Sequence, residues 1–475
     1  MQQTQADDMG NADEDDGLFP YDLVLDPQVR YFLYVGEARH DSLNQFMREA
    51  LERRTGQRMD YVRIIPDVSG CSLHRNTIVL NPRAKRHFAK TGVMSRYPLA
   101  PRKFAAAVSA SETILGLVRS LVRRQGEVYV HVAESVPELT LCHLPGVKFI
   151  GPDGETAAMW NNRLYQSRML RDLVPVLDHR QCRADEEIAQ VVAGLLPVWG
   201  DGVGVLTEGS REAGDPFVVT DPRDAAARLG GGGEAFLFRH VPAVHAPTVL
   251  GITAGEDDVF IAAVADRRKE ANGGWGASYP SVLPAHILRE LREHTRTAGR
   301  VLGDSGYRGV FGCDFIVDRD GTVHFVEVNA RKHGAALEMC CTLESALPAG
   351  APTLADLELG AVFDGRLPEN ARELARALEG LFWRTCTIRA DRTLRIDAAP
   401  AAHADVRALF RRILSRGADH GMIVLEHPAS DCQVERGGVL GRVVAVATDP
   451  AYLPEDLELG RTLLRACVQE PREDI

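Results

Sequence analysis

Between Gly312 and Arg331 two β-rich runs, Gly312–Val317 and Thr322–Asn329, flank Asp318-Arg319-Asp320-Gly321. An Asp-Gly pair between alternating apolar residues is a strong short-range hairpin signal, because glycine supplies the positive φ that tight turns demand. Side chains alternate faces along a strand, so Glu327, Asn329 and Arg331 point one way. Pairing Val317 with Thr322 sets Asp314 opposite Phe325 and diagonal to Glu327, and a register shifted by two residues keeps the same face. Two carboxylates and an amide carbonyl thus converge on one side. Phe325, Val326 and Val328 suggest burial on both faces, where unpaired carboxylates are costly. Hard oxygen donors of this kind suit magnesium, whose shell is completed by substrate phosphates.

The chain around this hairpin has 475 residues, enough for two to four domains. Short apolar runs at Tyr31–Val35, Tyr61–Ile65, Thr77–Leu80, Val128–Val132 and Val147–Ile150 alternate with helical patterns at Ser42–Arg53 and Phe104–Arg124. Such alternation predicts a parallel α/β layer, placed at about 18–155.

A second region, 156–350, opens with a helix after Asn161-Asn162, with Tyr165, Met169 and Leu173 as its stripe. Strands follow at Val203–Thr207, Phe217–Thr220, Ala235–Val241 and Val259–Ala265, with a helix over Pro222–Leu229. Pro284 opens a further helix, whose stripe is Ile287, Leu291, Ala298 and Leu302. The Pro-Gly-Ala-rich Leu347–Pro352 marks a boundary. The third region, 351–475, shows helical patterns on Leu374, Leu378 and Leu381 and on Val406, Leu409, Phe410 and Ile413. Its strands fall at Thr385–Arg389, Thr393–Ile396, Met422–Leu425 and Val439–Val446. It reads as a small α/β domain without a chemical motif.

A net charge of −11 argues against nucleic-acid or anionic-membrane partners, which need a basic surface. No run of about 18 apolar residues offers a membrane span. Met1 to Gly17 carries six acids and no basic or apolar leader pattern, so it reads as a disordered tail rather than a signal peptide. Nine cysteines without a Cys-x-x-Cys pair fit reduced thiols in a cytoplasmic protein. Cys340-Cys341 reads as core.

The glycine, the acid followed by Phe315, the hairpin and Glu327-Val328-Asn329-Ala330-Arg331 together resemble the C-terminal signature of ATP-grasp enzymes. The order of elements over 156–340 matches, and Leu144-Pro145-Gly146-Val147 to Gly151-Pro152 looks like the edge of the preceding domain in that superfamily. Among its members the chain looks most like the pheganomycin-type peptide ligases, which join a pre-ATP-grasp domain, an ATP-grasp domain and a small C-terminal domain. The resemblance implies an α/β ATP-grasp fold. It also implies an ATP- and magnesium-dependent ligase that joins an amino acid or modified amino acid to an amine or peptide acceptor through an acyl phosphate, in peptide natural-product biosynthesis; a homodimer is compatible with it. Asp314, Glu327 and Asn329 would hold magnesium, and Arg331 would stabilise the transferred phosphate. The alternatives are a nucleotide-binding protein without catalysis and a small-molecule kinase.

The family's two phosphate lysines are replaced. Arg163 stands at the first position, and guanidinium binds phosphate in bidentate fashion. Thr207 stands at the second, and the only lysines between 156 and 350 are Lys269 and Lys332. Arg211, in the loop Glu208–Pro216, could compensate, as could Arg267, Arg268 or Lys269; Arg268 is assigned a catalytic role and Lys269 a nucleotide contact. The loop Glu208–Pro216 is the expected phosphate cover, and Gly230–Gly233 reads as a turn. By the resemblance, Arg239, His240 and Val241 mark the adenine hinge. Asn272-Gly273-Gly274-Trp275-Gly276 reads equally as a substrate wall or a free loop. His333 and Glu338 read first as surface residues and second as the acceptor side.

Overall fold

The computed structural model describes residues 17–67, 75–183, 187–207, 217–228, 234–269, 274–374, 376–398 and 405–469. The tail up to residue 16, the loop 208–216 with Arg211, residues 230–233, and Asn272 and Gly273 lie outside them.

The first region contains β1 (Arg30–Val35), β2 (Met59–Ile65), β3 (Thr77–Val79), β4 (Ser95–Arg96), β5 (Val128–Val132) and β6 (Val147–Ile150). Five of these form a parallel sheet in the order β3-β2-β1-β5-β6. Phe32 and Tyr34 pack against helix Leu43–Thr55, and Tyr31, Leu33 and Val35 pack against the opposite layer. Strands covered on both faces are apolar at nearly every position, which made them legible. The single helix expected over Phe104–Arg124 is two, Pro101–Ala110 and Glu112–Gln125, bent by 69°. Ser111 between them is extended and its hydroxyl accepts the Ile114 N–H, a cap that outweighs the continuous apolar pattern. Gly17, counted with the tail, is part of this layer: its carbonyl accepts the Asn81 N–H.

In the second region β7 (His179–Arg183), β8 (Val203–Thr207), β9 (Phe217–Val219) and β10 (Glu234–Arg239) form an antiparallel sheet in the order β7-β10-β8-β9. Ile188, Val192 and Ala225 from helices Glu187–Trp199 and Pro222–Arg228 pack on its Val203, Val205 and Leu237. Then come β11 (Pro247–Gly255), β12 (Asp258–Lys269), β13 (Trp275–Tyr279), β14 (Gly309–Val317) and β15 (Val323–Asn329). Beyond residue 350 lie β16 (Phe382–Arg389), β17 (Leu394–Ile396), β18 (His420–Leu425), β19 (Gln433–Val434), β20 (Val439–Ala447) and β21 (Val468–Gln469). One eight-stranded sheet, β15-β14-β11-β12-β13-β16-β20-β18, runs through both regions, and a small sheet β21-β17-β19-β4 ties the first region to the third.

Helix Ala285–Asp304 lies on the large sheet through Ile287, Leu291, Ala298 and Leu302. It approaches so closely that a Cβ on Gly303 would stand 2.3 Å from the Gly255 carbonyl carbon. Two predicted stripes fail. Helix Arg163–Leu170 buries Gln166, Ser167 and Leu170, and leaves Met169 and Leu173 exposed. Gln166 donates to the Val328 carbonyl at 2.7 Å and accepts the Val328 N–H at 2.8 Å, so a polar side chain docks this helix on β15. Leu374, Leu378 and Leu381 belong to non-helical chain. That segment is pinned from outside: Glu373 accepts from Ile261 N–H and Arg296, and the Tyr279 hydroxyl accepts the Leu378 N–H.

Candidate active site

Asp314 on β14 stands directly opposite Glu327 on β15. Val317 pairs with Val323 rather than Thr322, and a bulge after Asp314 restores the acids to one level. A bulge re-aims side chains locally, which residue counting along the hairpin does not foresee. The face is the expected one, and Asn329 joins it, donating Nδ2 to Asp314 at 3.1 Å.

Each acid is held by an arginine from a different element. Arg163, at the first turn of a helix capped by Asn162, donates Nε to Glu327 at 3.0 Å, with Nη2 at 2.8 Å. Arg267 on β12 donates to Asp314 at 2.5 Å, and its guanidinium lies 4.8 Å from the Trp275 ring centroid. Arg331 donates Nη2 to the Asn329 side-chain oxygen Oδ1 at 2.9 Å, and its Nε lies 3.5 Å from Glu134 of the first region. The arrangement has two carboxylates, one amide oxygen and three guanidinium groups.

Alternation along β12 turns Arg267 toward the acids. Arg268 and Lys269 are exposed and do not line the cleft, so of the three candidates Arg267 is the one that faces the acids. Arg239 lies at the end of β10 with Nη1 3.8 Å from Asp178, and the His240 N–H donates to the Gly202 carbonyl. Arg239, His240 and Val241 lie outside the cleft lining. Thr207 ends β8, paired with Ala235.

The acids open into a cleft of about 760 Å³. Its far wall carries groups that sequence reasoning missed: Glu37 and Arg39 beyond the end of β1, Arg96 on β4, and Glu426 and Arg442 from the third region. The first two follow the carboxyl end of a parallel strand, where open α/β sheets place ligand groups, and that rule could have flagged them. Arg442 donates to Glu338 at 2.6 Å and to Glu426 at 2.8 Å, while Arg96 donates to the Glu426 carbonyl at 2.7 Å. Glu426 has a positive φ of 59°.

His333 and Glu338, expected first at the surface, are both buried. Burial, reinforced by Arg331, Arg267 and Arg39, pushes the His333 imidazole down to about 3. Burial raises the Glu338 carboxyl even against its Arg442 partner. Lys332 is also buried, bonded to the Val132 carbonyl and the Glu358 carboxylate, and so holds β5 against the site. All eight cysteines among the described residues are free, and Cys340 and Cys341 are core, as expected.

Among the described residues no cluster of three His, Cys, Asp or Glu side chains could by itself enclose a metal. Two carboxylates and an amide oxygen instead fit magnesium shared with phosphates. Among the described residues no single helix is long and apolar enough to cross a membrane.

No family model matches the chain. A curated relative, the L-propargylglycine–L-glutamate ligase of Streptantibioticus cattleyicolor, is 32% identical over 88 residues, which is 18% of this chain and 18% of that protein. The match therefore spans less than a fifth of that relative. Among solved structures, N5-carboxyaminoimidazole synthase from Aspergillus clavatus, in complex with ADP and 5-aminoimidazole ribonucleotide, superposes with a TM-score of 0.56 at 15% identity, covering 93% of this chain and 100% of that one. The biotin carboxylase domain of a single-chain bacterial carboxylase does so with a TM-score of 0.56 at 16% identity, covering 91% and 88%.

Proposed function

We propose that this chain, which has the ATP-grasp fold, is an ATP-dependent ligase that joins a carboxylate to an amine through an acyl phosphate. The observation that carries the reading is the Asp314–Glu327 pair with Asn329 beside it, ringed by Arg163, Arg267 and Arg331.

In this reading Asp314, Glu327 and Asn329 hold magnesium, which would neutralise triphosphate charge and polarise the γ-phosphorus. Arg163 and Arg267 then leave the carboxylates for phosphate oxygens, charge for charge. This supplies the cations missing at Thr207, with Arg211 as a further candidate. Arg239, His240 and Val241 serve as the adenine hinge. A substrate carboxylate oxygen attacks the γ-phosphorus, its bond to the β-phosphate oxygen breaks, and ADP leaves. The amine nitrogen attacks the acyl carbon, phosphate departs with the C–O bonding pair, and the nitrogen loses a proton. Arg331 stabilises the charge that develops on the transferred group.

Residues 18–155 act as the pre-ATP-grasp layer, 156–350 as the nucleotide region, and 351–475 close the far end of the cleft. The substrates are an amino acid and an amine or peptide, in a cytoplasmic enzyme of the pheganomycin type that serves peptide natural-product biosynthesis. A partial match to a ligase of two amino acids supports this class.

The test supplies ATP, magnesium and single amino acids, with hydroxylamine as a surrogate amine. Amino-acid hydroxamate formed together with ADP and phosphate is the expected result. A phosphorylated product without free phosphate would favour a kinase, and no nucleotide turnover would favour a binding protein.

A further inference from the structure

A small pocket of about 40 Å³ opens off the cleft at the carboxyl ends of β1 and β5. The two share Glu37, Arg39, Pro66 and Leu99 as walls, so the pocket is a side chamber of the cleft. Its lining is mostly apolar, with Val35, Phe104, Val136 and Leu139, and one feature stands out against that lining. His40 is 5% exposed, and neither of its ring nitrogens has a hydrogen-bond partner among the described residues. Burial and the nearby Arg39, Arg331, Arg442 and Lys332 hold its imidazole well below the usual histidine range, so it is neutral. A neutral imidazole offers one donor and one acceptor. Buried polar groups are ordinarily satisfied, and a group left unpaired in an apolar chamber calls for a partner from outside the fold.

The mouth of the chamber has the opposite character. Glu37 and Arg39 pair there, and Glu134, which lines the chamber, lies against Arg331 and thus beside the Asn329 end of the acidic face. An α-carboxylate at this mouth would lie beside Arg331, which the ligase reading sets at the transferred phosphate.

On the ligase reading, we propose that this chamber selects the side chain of the amino acid whose carboxylate is activated. The side chain is short, with an apolar stem and one hydrogen-bonding group that meets His40, while the charged α-groups stay at the mouth. The volume holds about three water-sized groups, which limits the side chain to roughly three heavy atoms.

The experiment is hydroxamate formation by the full chain with magnesium–ATP, hydroxylamine and an isosteric pair, L-homoserine and L-norvaline, flanked by L-alanine and L-norleucine. L-homoserine should exceed L-norvaline by about 100-fold or more, since a site built to bind a hydroxyl rejects the analogue without it. L-alanine and L-norleucine should each fall about 10-fold or more below the better of the pair. His40→Leu should remove the homoserine preference, and Leu139→Ala should move the length optimum toward L-norleucine. If His40→Leu does not fold, His40→Gln, which keeps a donor and an acceptor, should retain part of the preference. Hydroxamate formed from both members of the pair at equal rates, or a preference that survives in His40→Leu, leaves the chamber a water-filled gap and overturns the proposal while the ligase reading stands. No hydroxamate from any carboxylate overturns the ligase reading and this proposal together.

Discussion

Asp314 and Glu327 face each other across a bulged hairpin, and each is neutralised by an arginine from another element: Arg267 on β12 and Arg163 at the head of a helix. Two acids so close would repel each other without those cations. The structure thus couples the metal candidates to the phosphate candidates, because whatever binds one set frees the other.

This coupling predicts that magnesium and ATP bind together. At 100 times its dissociation constant a ligand adds about 2.7 kcal/mol of stability. Thermal denaturation with ATP should show that gain only when magnesium is present, and Glu327→Gln should shrink the magnesium-dependent gain. An equal shift without a divalent ion in the unaltered protein would sink the assignment.

Arg163→Ala should weaken ATP binding, and Arg163→Lys should retain part of it, since charge survives while bidentate geometry is lost. Calorimetric titration measures this directly. Unchanged affinity in Arg163→Ala removes the residue from the nucleotide site.

Arg331 should matter to turnover more than to binding. Removing one electrostatic group that acts on the transition state typically costs about 10²–10³ in rate. Arg331→Ala should therefore bind ATP near-normally and lose turnover by that order. Near-normal turnover would return the residue to a structural part beside Glu134.

Arg442 holds two carboxylates, one of them fully buried. Breaking a buried pair from one side is expected to cost about 3–5 kcal/mol, because the remaining charge has no partner. Urea denaturation of Arg442→Met should show that loss, and adding Glu338→Leu should recover part of it. A loss within error would mean that Glu338 is already neutral in the folded protein.

His333 gives the pH dependence a sign. Its pKa is about 3 when folded against 6.5 unfolded, so the unfolded chain binds more protons between those values. Stability contributed by the neutral ring is complete above 6.5 and falls as pH drops toward 3, by up to about 1.4 kcal/mol per pH unit. The Ala335 N–H donates to its Nδ1, a bond that protonation at that nitrogen removes. Stability measured from pH 7 to pH 4 should decline less steeply in His333→Gln than in the unaltered chain, and parallel slopes would refute the assignment.

The strands of the parallel sheet were legible because burial leaves an almost unbroken apolar run, as in Val128–Val132, whereas the short polar β4 was not. The acidic face was legible from alternation and the Asp-Gly turn, but the bulge after Asp314 that sets it opposite Glu327 was not. What escaped was decided at long range. Helix Arg163–Leu170 turns a glutamine toward the core because β15 supplies both of its hydrogen bonds, and no periodicity within the helix reports that. Leu374 and Leu381 reach the core from a segment held by Arg296 and Tyr279, so their spacing mimicked a helix without forming one. The choice between Arg267 and Arg268 hung on strand phase, which one residue inverts. Strand β11 was missed entirely, although Pro247–Ala254 is buried throughout.

The pairing of Ser278 and Tyr279 with Arg384 and Trp383 makes the floor of the cleft one continuous plate across residue 350. The last quarter of the chain is therefore not a detachable module. Cutting it away would bare the β13 backbone edge and the face of Tyr279 that stacks on Trp383, turning an internal seam into a sticky border open to other chains. Swapping this part between relatives would succeed only where the seam is carried along.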